Sequence, residues 1–281
     1  MVFFIIQCRK IAEKFIRDEM TVYAAQASFF IVLSAFPFIM ILLTAVQLVP
    51  NLSPYDVGAT ILALVPDVRD LAPLVQSVIL NLYTNSPATV MSISIISIVI
   101  ALWSASKGML GVERGLNRAY SCPVHRSYLM SRLVCMGYTL LFLLACILSL
   151  LLIVFGNMIQ SFFDNTFPIV ADVTRNILSI RSLLAIVVLT SCFTGIYTYL
   201  PHRKHPAARQ LPGAIFSTAG WLLFSYGFSI YFNHFSHFSY MYGSLTAVIL
   251  LMLWIYFCIC ILFLGAEINY QLDLISRRGL L

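Results

Sequence analysis

Apolar residues fill long uninterrupted windows in this chain instead of marking one face of each helix. Windows free of Asp, Glu, Lys and Arg run over about 22–49, 88–106, 133–155, 182–200, 212–232 and 245–266. Each is close to the roughly 20 apolar residues that carry an α-helix across the hydrocarbon core of a bilayer. The clearest stretch lies between Gln210 and Glu267, where His234 and His237 are the only ionisable groups besides tyrosine and cysteine. A water-soluble domain cannot bury that much apolar helix without charged faces, whereas lipid can. The pattern predicts an all-α polytopic membrane protein: six transmembrane helices within a single membrane domain over 21–281.

Residues 1–20 read differently. Phe4, Cys8, Ile11 and Phe15 recur at helical spacing, while Arg9, Lys10, Lys14 and Arg17 take other faces. Two arrangements follow: an interfacial amphipathic helix lying in the headgroup plane, or the same helix packed on the bundle. Met1 to Cys8 does not read as a lipoprotein leader, because its apolar run is short, no basic residue precedes it and Gln7 is too large for cleavage. Pro37 predicts a kink in span 1, and Pro50 ends it. The segment 51–87 reads as short helices near the outer surface. In span 2, Ser97, Ala101, Ser104, Gly108, Gly111 and Gly115 recur at alternating intervals of four and three. Such a stripe of small residues lets a second helix approach closely. It outruns the span, so the helix is expected to continue through Ala119. The turn from Asn233 to Ser244 is uncharged and aromatic and belongs at the outer interface.

Charge gives the sidedness. The chain has 281 residues, 60% hydrophobic and 10% charged, against about 25% charged in ordinary globular proteins. The segments between spans, assigned alternately to two sides, divide the 17 lysines and arginines 14 to 3. The rich side is cytoplasmic, and both termini lie there. The net charge of +6 is therefore a topology signal and implies no nucleic-acid partner. No cysteine falls in an outer loop, so no structural disulfide is expected, and no CxxC marks a metal or redox site.

The candidate chemistry is sparse. His202-x-x-His205 and His234-x-x-His237 lack acidic or cysteine neighbours and fall on opposite sides of the membrane, so neither predicts a metal. Glu267, at the inner end of span 6, is a carboxylate at an expensive depth. Lys107, Arg114 or Arg118 on the span 2 extension are its expected partners. Those three cations, which share one helical face, are candidate contacts for an anionic headgroup, since basic residues just inside a membrane contribute roughly 1 kcal/mol each toward anionic lipid. Asn117 and Glu267 would organise them, and Tyr240 and Tyr242 would line an outer mouth. There is no GxSxG, no HExxH and no phosphate-cradling glycine loop. No catalytic residue, cofactor or metal is expected.

Three blocks resemble the YihY/BrkB family of bacterial inner-membrane proteins. The first is Tyr23-Ala24-Ala25 through Ser28, Ser34 and Phe36-Pro37. The second runs from Trp103-Ser104-Ala105-Ser106-Lys107-Gly108-Met109 to Leu116-Asn117-Arg118-Ala119-Tyr120. The third runs from Tyr240-Met241-Tyr242-Gly243-Ser244-Leu245 through Leu253-Trp254 to Gly265-Ala266-Glu267-Ile268-Asn269, and Pro212-Gly213-Ala214 also fits. The resemblance implies six spans in the inner membrane and loose links to the cell envelope. It also brings an old ribonuclease label, although RNA cleavage needs positioned acid–base groups or a metal and the sequence shows neither. The expected function is envelope transport or lipid handling, with an anionic amphiphile as substrate and membrane lipids as partners. The alternative is a non-transporting scaffold, with a homo-oligomer or an envelope-assembly protein as partner.

Overall fold

The computed structural model describes residues 2–47, 87–122, 127–154, 181–202, 206–234 and 244–277. Seven α-helices and no strand occur among them. They are α1 (Val2–Arg17), α2 (Met20–Gln47), α3 (Pro87–Ala119), α4 (Tyr128–Val154), α5 (Arg181–Tyr199), α6 (Ala207–His234) and α7 (Ser244–Arg277). Each of the six charge-free windows falls largely on one of α2 to α7. Two stretches, Ala207–Tyr231 and Val248–Ser276, are long and apolar enough to cross a bilayer, and Met20–Ala35 and Ile186–Tyr199 are shorter apolar stretches. The segment expected to hold short outer helices, and Tyr240, Tyr242, His205 and His237, lie outside the described residues.

The chain forms two compact units. One comprises 1–31, 107–135 and 176–281; the other comprises 32–106 and 136–175. In the first unit α6 packs against α5 and α7, and α1 packs on α7. The seating of α1 on α7 is compatible with both arrangements open for residues 1–20.

Burial is inverted relative to a soluble protein. Leu223, Tyr226, Ile249, Leu144 and Ile16 are exposed, while Glu113, Gln210, Glu267 and Asn269 are almost wholly buried. Water penalises contiguous exposed apolar surface, and lipid does not. The inversion is the structural signature of a membrane protein. It also concentrates the polar chemistry inside the unit, where every group needs a partner.

The end of α3 is fixed by its own backbone. Ser121 takes a left-handed conformation (φ 49°). Its N–H reaches the carbonyl of Arg118 at 3.0 Å, and the N–H of Cys122 reaches that of Asn117 at 2.8 Å. This pair of bonds is the Schellman closure, a position where glycine avoids the Cβ penalty. Ser121→Gly is expected to raise stability by about 1 kcal/mol, read as a higher denaturation midpoint in detergent.

Candidate functional site

The inner end of α7 carries Glu267, whose side chain is 0% exposed. Its Oε1 accepts a hydrogen bond from Lys14 Nζ at 2.8 Å. The same ammonium donates to the carbonyl of Ala119 at 2.7 Å and lies 2.9 Å from Asp18 Oδ2. The ring of Tyr270 faces it, 4.6 Å from nitrogen to centroid. Lys14 therefore sits in a cage of two carboxylates, one carbonyl and an aromatic face. The carbonyl is an orphan acceptor at the C-terminus of α3, where the helix dipole favours a cation. Asp18 also stands 3.5 Å from Arg118 Nε and 3.9 Å from Arg17 Nε. The carboxylate oxygen Oε2 of Glu267 is buried and takes no hydrogen bond from the described residues.

A second polar cluster joins α3, α6 and α7. Asn269 Oδ1 accepts the backbone N–H of Gly213 at 2.7 Å, and its Nδ2 donates to the carbonyl of Gln210 at 3.1 Å. Tyr120 donates to Gln210 Oε1 at 2.5 Å. Burial pushes the Tyr120 hydroxyl well above the usual phenol range, against the opposing pull of its hydrogen bond with Asn269, so it stays protonated and keeps its role as donor. Further along α6 and α7, Tyr197 of α5 donates to the carbonyl of Leu262 at 2.8 Å and lies 2.7 Å from Ser217 Oγ. These bonds bracket Gly213 and Gly265, where the backbones of α6 and α7 touch. A Cβ on Gly265 would meet Ser217 Oγ, Tyr197 OH and the carbonyl of Gly213.

A third cluster surrounds Glu113, on α3. Cys135 Sγ, from α4, donates to its Oε2 at 3.1 Å, and His202 Nε2 stands 3.8 Å from its Oε1. The two carboxylate oxygens thus serve different partners. Among the described residues no group of three His, Cys, Asp or Glu side chains could hold a metal ion.

The partner of Glu267 is Lys14, not Lys107, Arg114 or Arg118. Lys107 lies with Nζ 5.0 Å from the Phe30 ring centroid. The exposed Arg114 lies over Tyr128 at 5.5 Å, and Arg118 is exposed beside Asp18. Asn117 uses its Oδ1 to accept the backbone N–H of His202 at 2.8 Å, which anchors the α5–α6 connection. The basic reach expected from α3 to Glu267 fails because Lys14 of α1 occupies that carboxylate and is held there by the carbonyl of Ala119 at the end of α3. In the small-residue stripe, a Cβ on Gly108 would fall 2.9 Å from Ile31 Cγ1, and one on Gly111 would fall 3.2 Å from Ala27 Cβ. At Gly115 it would strike the Phe263 ring. Ser104 is buried, while Ser97 and Ala101 belong to α3 outside the described side chains. Sequence reasoning assigned Lys14, Asp18 and Asn269 no part in the site. A signal for the first two exists: opposite charges four residues apart, at the edge of the apolar stripe of α1.

Comparison with known proteins agrees with the helical membrane fold. The chain is 34% identical over 247 residues to the ribonuclease-like protein YfkH of Bacillus subtilis (strain 168), covering 88% of this chain and 87% of the relative. It is 24% identical over 261 residues to a UPF0761 membrane protein of Pseudoalteromonas atlantica, covering 92% and 82% respectively. A segment of 89 residues is 34% identical to the UPF0761 membrane protein PBPRA3489 of Photobacterium profundum, covering 32% and 28%. No solved structure matches. The profile described as virulence factor BrkB matches residues 11–278. The chain belongs to the BrkB family of membrane proteins.

Proposed function

We propose that this protein is a six-span bacterial inner-membrane protein with both termini in the cytoplasm, and that it handles an anionic amphiphile, lipid or lipid precursor at its inner face. One observation carries the reading. Arg114 and Arg118 stand one turn apart on the exposed face of α3, each steadied from one side, by the Tyr128 ring and by Asp18. Guanidinium groups held this way keep donors free for a phosphate. Lys107 continues the same helical face. Glu267 contributes at a distance: it fixes Lys14, which fixes Asp18, which faces Arg118. Asn117 sets the neighbouring connection, and Tyr240 and Tyr242 are assigned to the outer mouth.

Each cation near an anionic surface contributes about 1 kcal/mol. The Arg114→Ala, Arg118→Ala double variant should therefore lose roughly tenfold or more in affinity for anionic lipid. Native mass spectrometry of the variant extracted in its own lipids reads this directly. Wild-type levels of bound anionic lipid in a folded variant would overturn the reading.

A scaffold role is the second reading. A groove of about 460 Å³ opens between α5 and α6, lined by Thr190, Thr194, Gly195 and Leu211 among others. Nothing lies within 4 Å of a Cβ placed on Gly195, so a partner helix has room to approach. A stable partner retained after mild detergent extraction would favour it.

A further inference from the structure

The cage around Lys14 is built as a receptor for an ammonium group. Three oxygens surround Nζ at 2.7 to 2.9 Å, which accounts for all three N–H donors of a primary ammonium. The Tyr270 ring supplies the cation–π face. Asp18 directly follows α1 and moves with it, whereas the other two oxygens come from elsewhere: Glu267 on α7 and Ala119 at the end of α3. Those two, with Tyr270, remain if α1 moves. Glu267 then keeps one acceptor, Oε2, already buried and without a partner among the described residues, and its other acceptor is freed.

The helix that fills the cage is attached by a strained joint. Glu19, between α1 and α2, has φ 53°, a left-handed conformation that costs a residue with a Cβ about 1–2 kcal/mol. The outward face of α1 exposes Ile6 and Ile16 together with Arg9 and Arg17. An apolar and basic surface of this kind is drawn to a membrane surface.

We propose that the cage is a primary-ammonium site, kept filled by the lysine of α1, which accepts the ammonium of an aminophospholipid headgroup or a free alkylammonium when α1 lifts away. Placing the cage at headgroup depth rests on the six-span reading, but the oxygen geometry does not. Arg118, 3.5 Å from Asp18, stands at the rim, where the phosphate that accompanies a lipid ammonium would arrive. The site is thus complementary to a zwitterionic headgroup; it shares Arg118 with the anionic-lipid contacts proposed above and adds the ammonium cage.

The test has two arms. Lys14→Ala leaves a void matching n-propylammonium. Adding that amine to the variant in detergent should raise its melting temperature by several degrees. Tetramethylammonium, which donates no hydrogen bond, and sodium at the same concentration should not. Glu267→Gln in the same background should abolish the gain. Equal effects of all three cations, or none, would overturn the site. The second arm uses the wild-type chain and stands even if Lys14→Ala does not fold. In nanodiscs, acylation of Lys14 by an amine-reactive reagent is read by mass spectrometry. Replacing phosphatidylcholine with phosphatidylethanolamine should raise Lys14 labelling severalfold, relative to Lys10, as the lipid ammonium displaces the lysine. Unchanged labelling rejects the lipid as the source, and with a propylammonium gain it assigns the site to soluble amines. Neither arm involves the Arg114 and Arg118 assay, so the two proposals fail separately.

Discussion

Lys14→Met should cost about 3–5 kcal/mol of stability, the range for breaking a buried ion pair by removing one partner. The lysine neutralises Glu267, whose side chain is completely buried, and its methionine replacement keeps the apolar stem but removes the charge. What remains is a buried carboxylate without its hydrogen-bonded cation. Asp18 fares better, since Arg17 and Arg118 remain near it. The second half of the prediction separates charge from packing. Adding Glu267→Met to Lys14→Met should recover most of the loss, because removing both members of a buried pair is far milder than removing one. The three variants complete a double-mutant cycle, measured by denaturant unfolding in detergent with circular dichroism. A loss below about 1 kcal/mol for Lys14→Met would mean that Glu267 takes up a proton or that water reaches it.

The second large effect comes from a methyl group. Gly265→Ala should destabilise the chain by about 1–3 kcal/mol or prevent α6 and α7 from docking, the range for overpacking a tight core. The added carbon would lie 2.5 Å from Tyr197 OH and 2.7 Å from the carbonyl of Gly213. A backbone carbonyl cannot move aside without shifting its helix. The same substitution at Gly227, where a Cβ meets nothing within 4 Å, should be neutral or stabilising by up to about 1 kcal/mol through helix propensity. Opposite signs at two glycines of packed helices would show that close approach, and not composition, governs the effect. Thermal stability of the two variants side by side is sufficient. Equal changes would remove the α6–α7 backbone contact from the account.

The sequence reading reached the helices because their signal is local. The charge-free windows around 212–232 and 245–266 coincide with α6 and α7, and the small-residue stripe carried α3 to Ala119, where the helix does end. A Cβ on Gly108, Gly111 or Gly115 would fall within 3.2 Å of another segment of the chain. The candidate site was legible only in part. Glu267 stood out because a carboxylate at that depth requires a partner. The partner itself did not, because Lys14 is 253 residues away and looked like one more basic residue on an amphipathic helix. Asn269 was noticed for its motif and not for its bonds. Its role in satisfying Gly213 and Gln210 depends on two helices meeting side by side.

What the residues determined by themselves was the class of environment: long runs without charge cannot be buried in water, and each run specifies a helix because lipid offers no other partner for the backbone. What only the tertiary structure decided was pairing. Burial of a charge is settled by whichever opposite charge the packing delivers, and packing is set by shape complementarity between helices far apart in the chain. The lysine of α1, not the arginines of α3, reaches Glu267 because the carbonyl of Ala119 and the ring of Tyr270 complete a cage for an ammonium there.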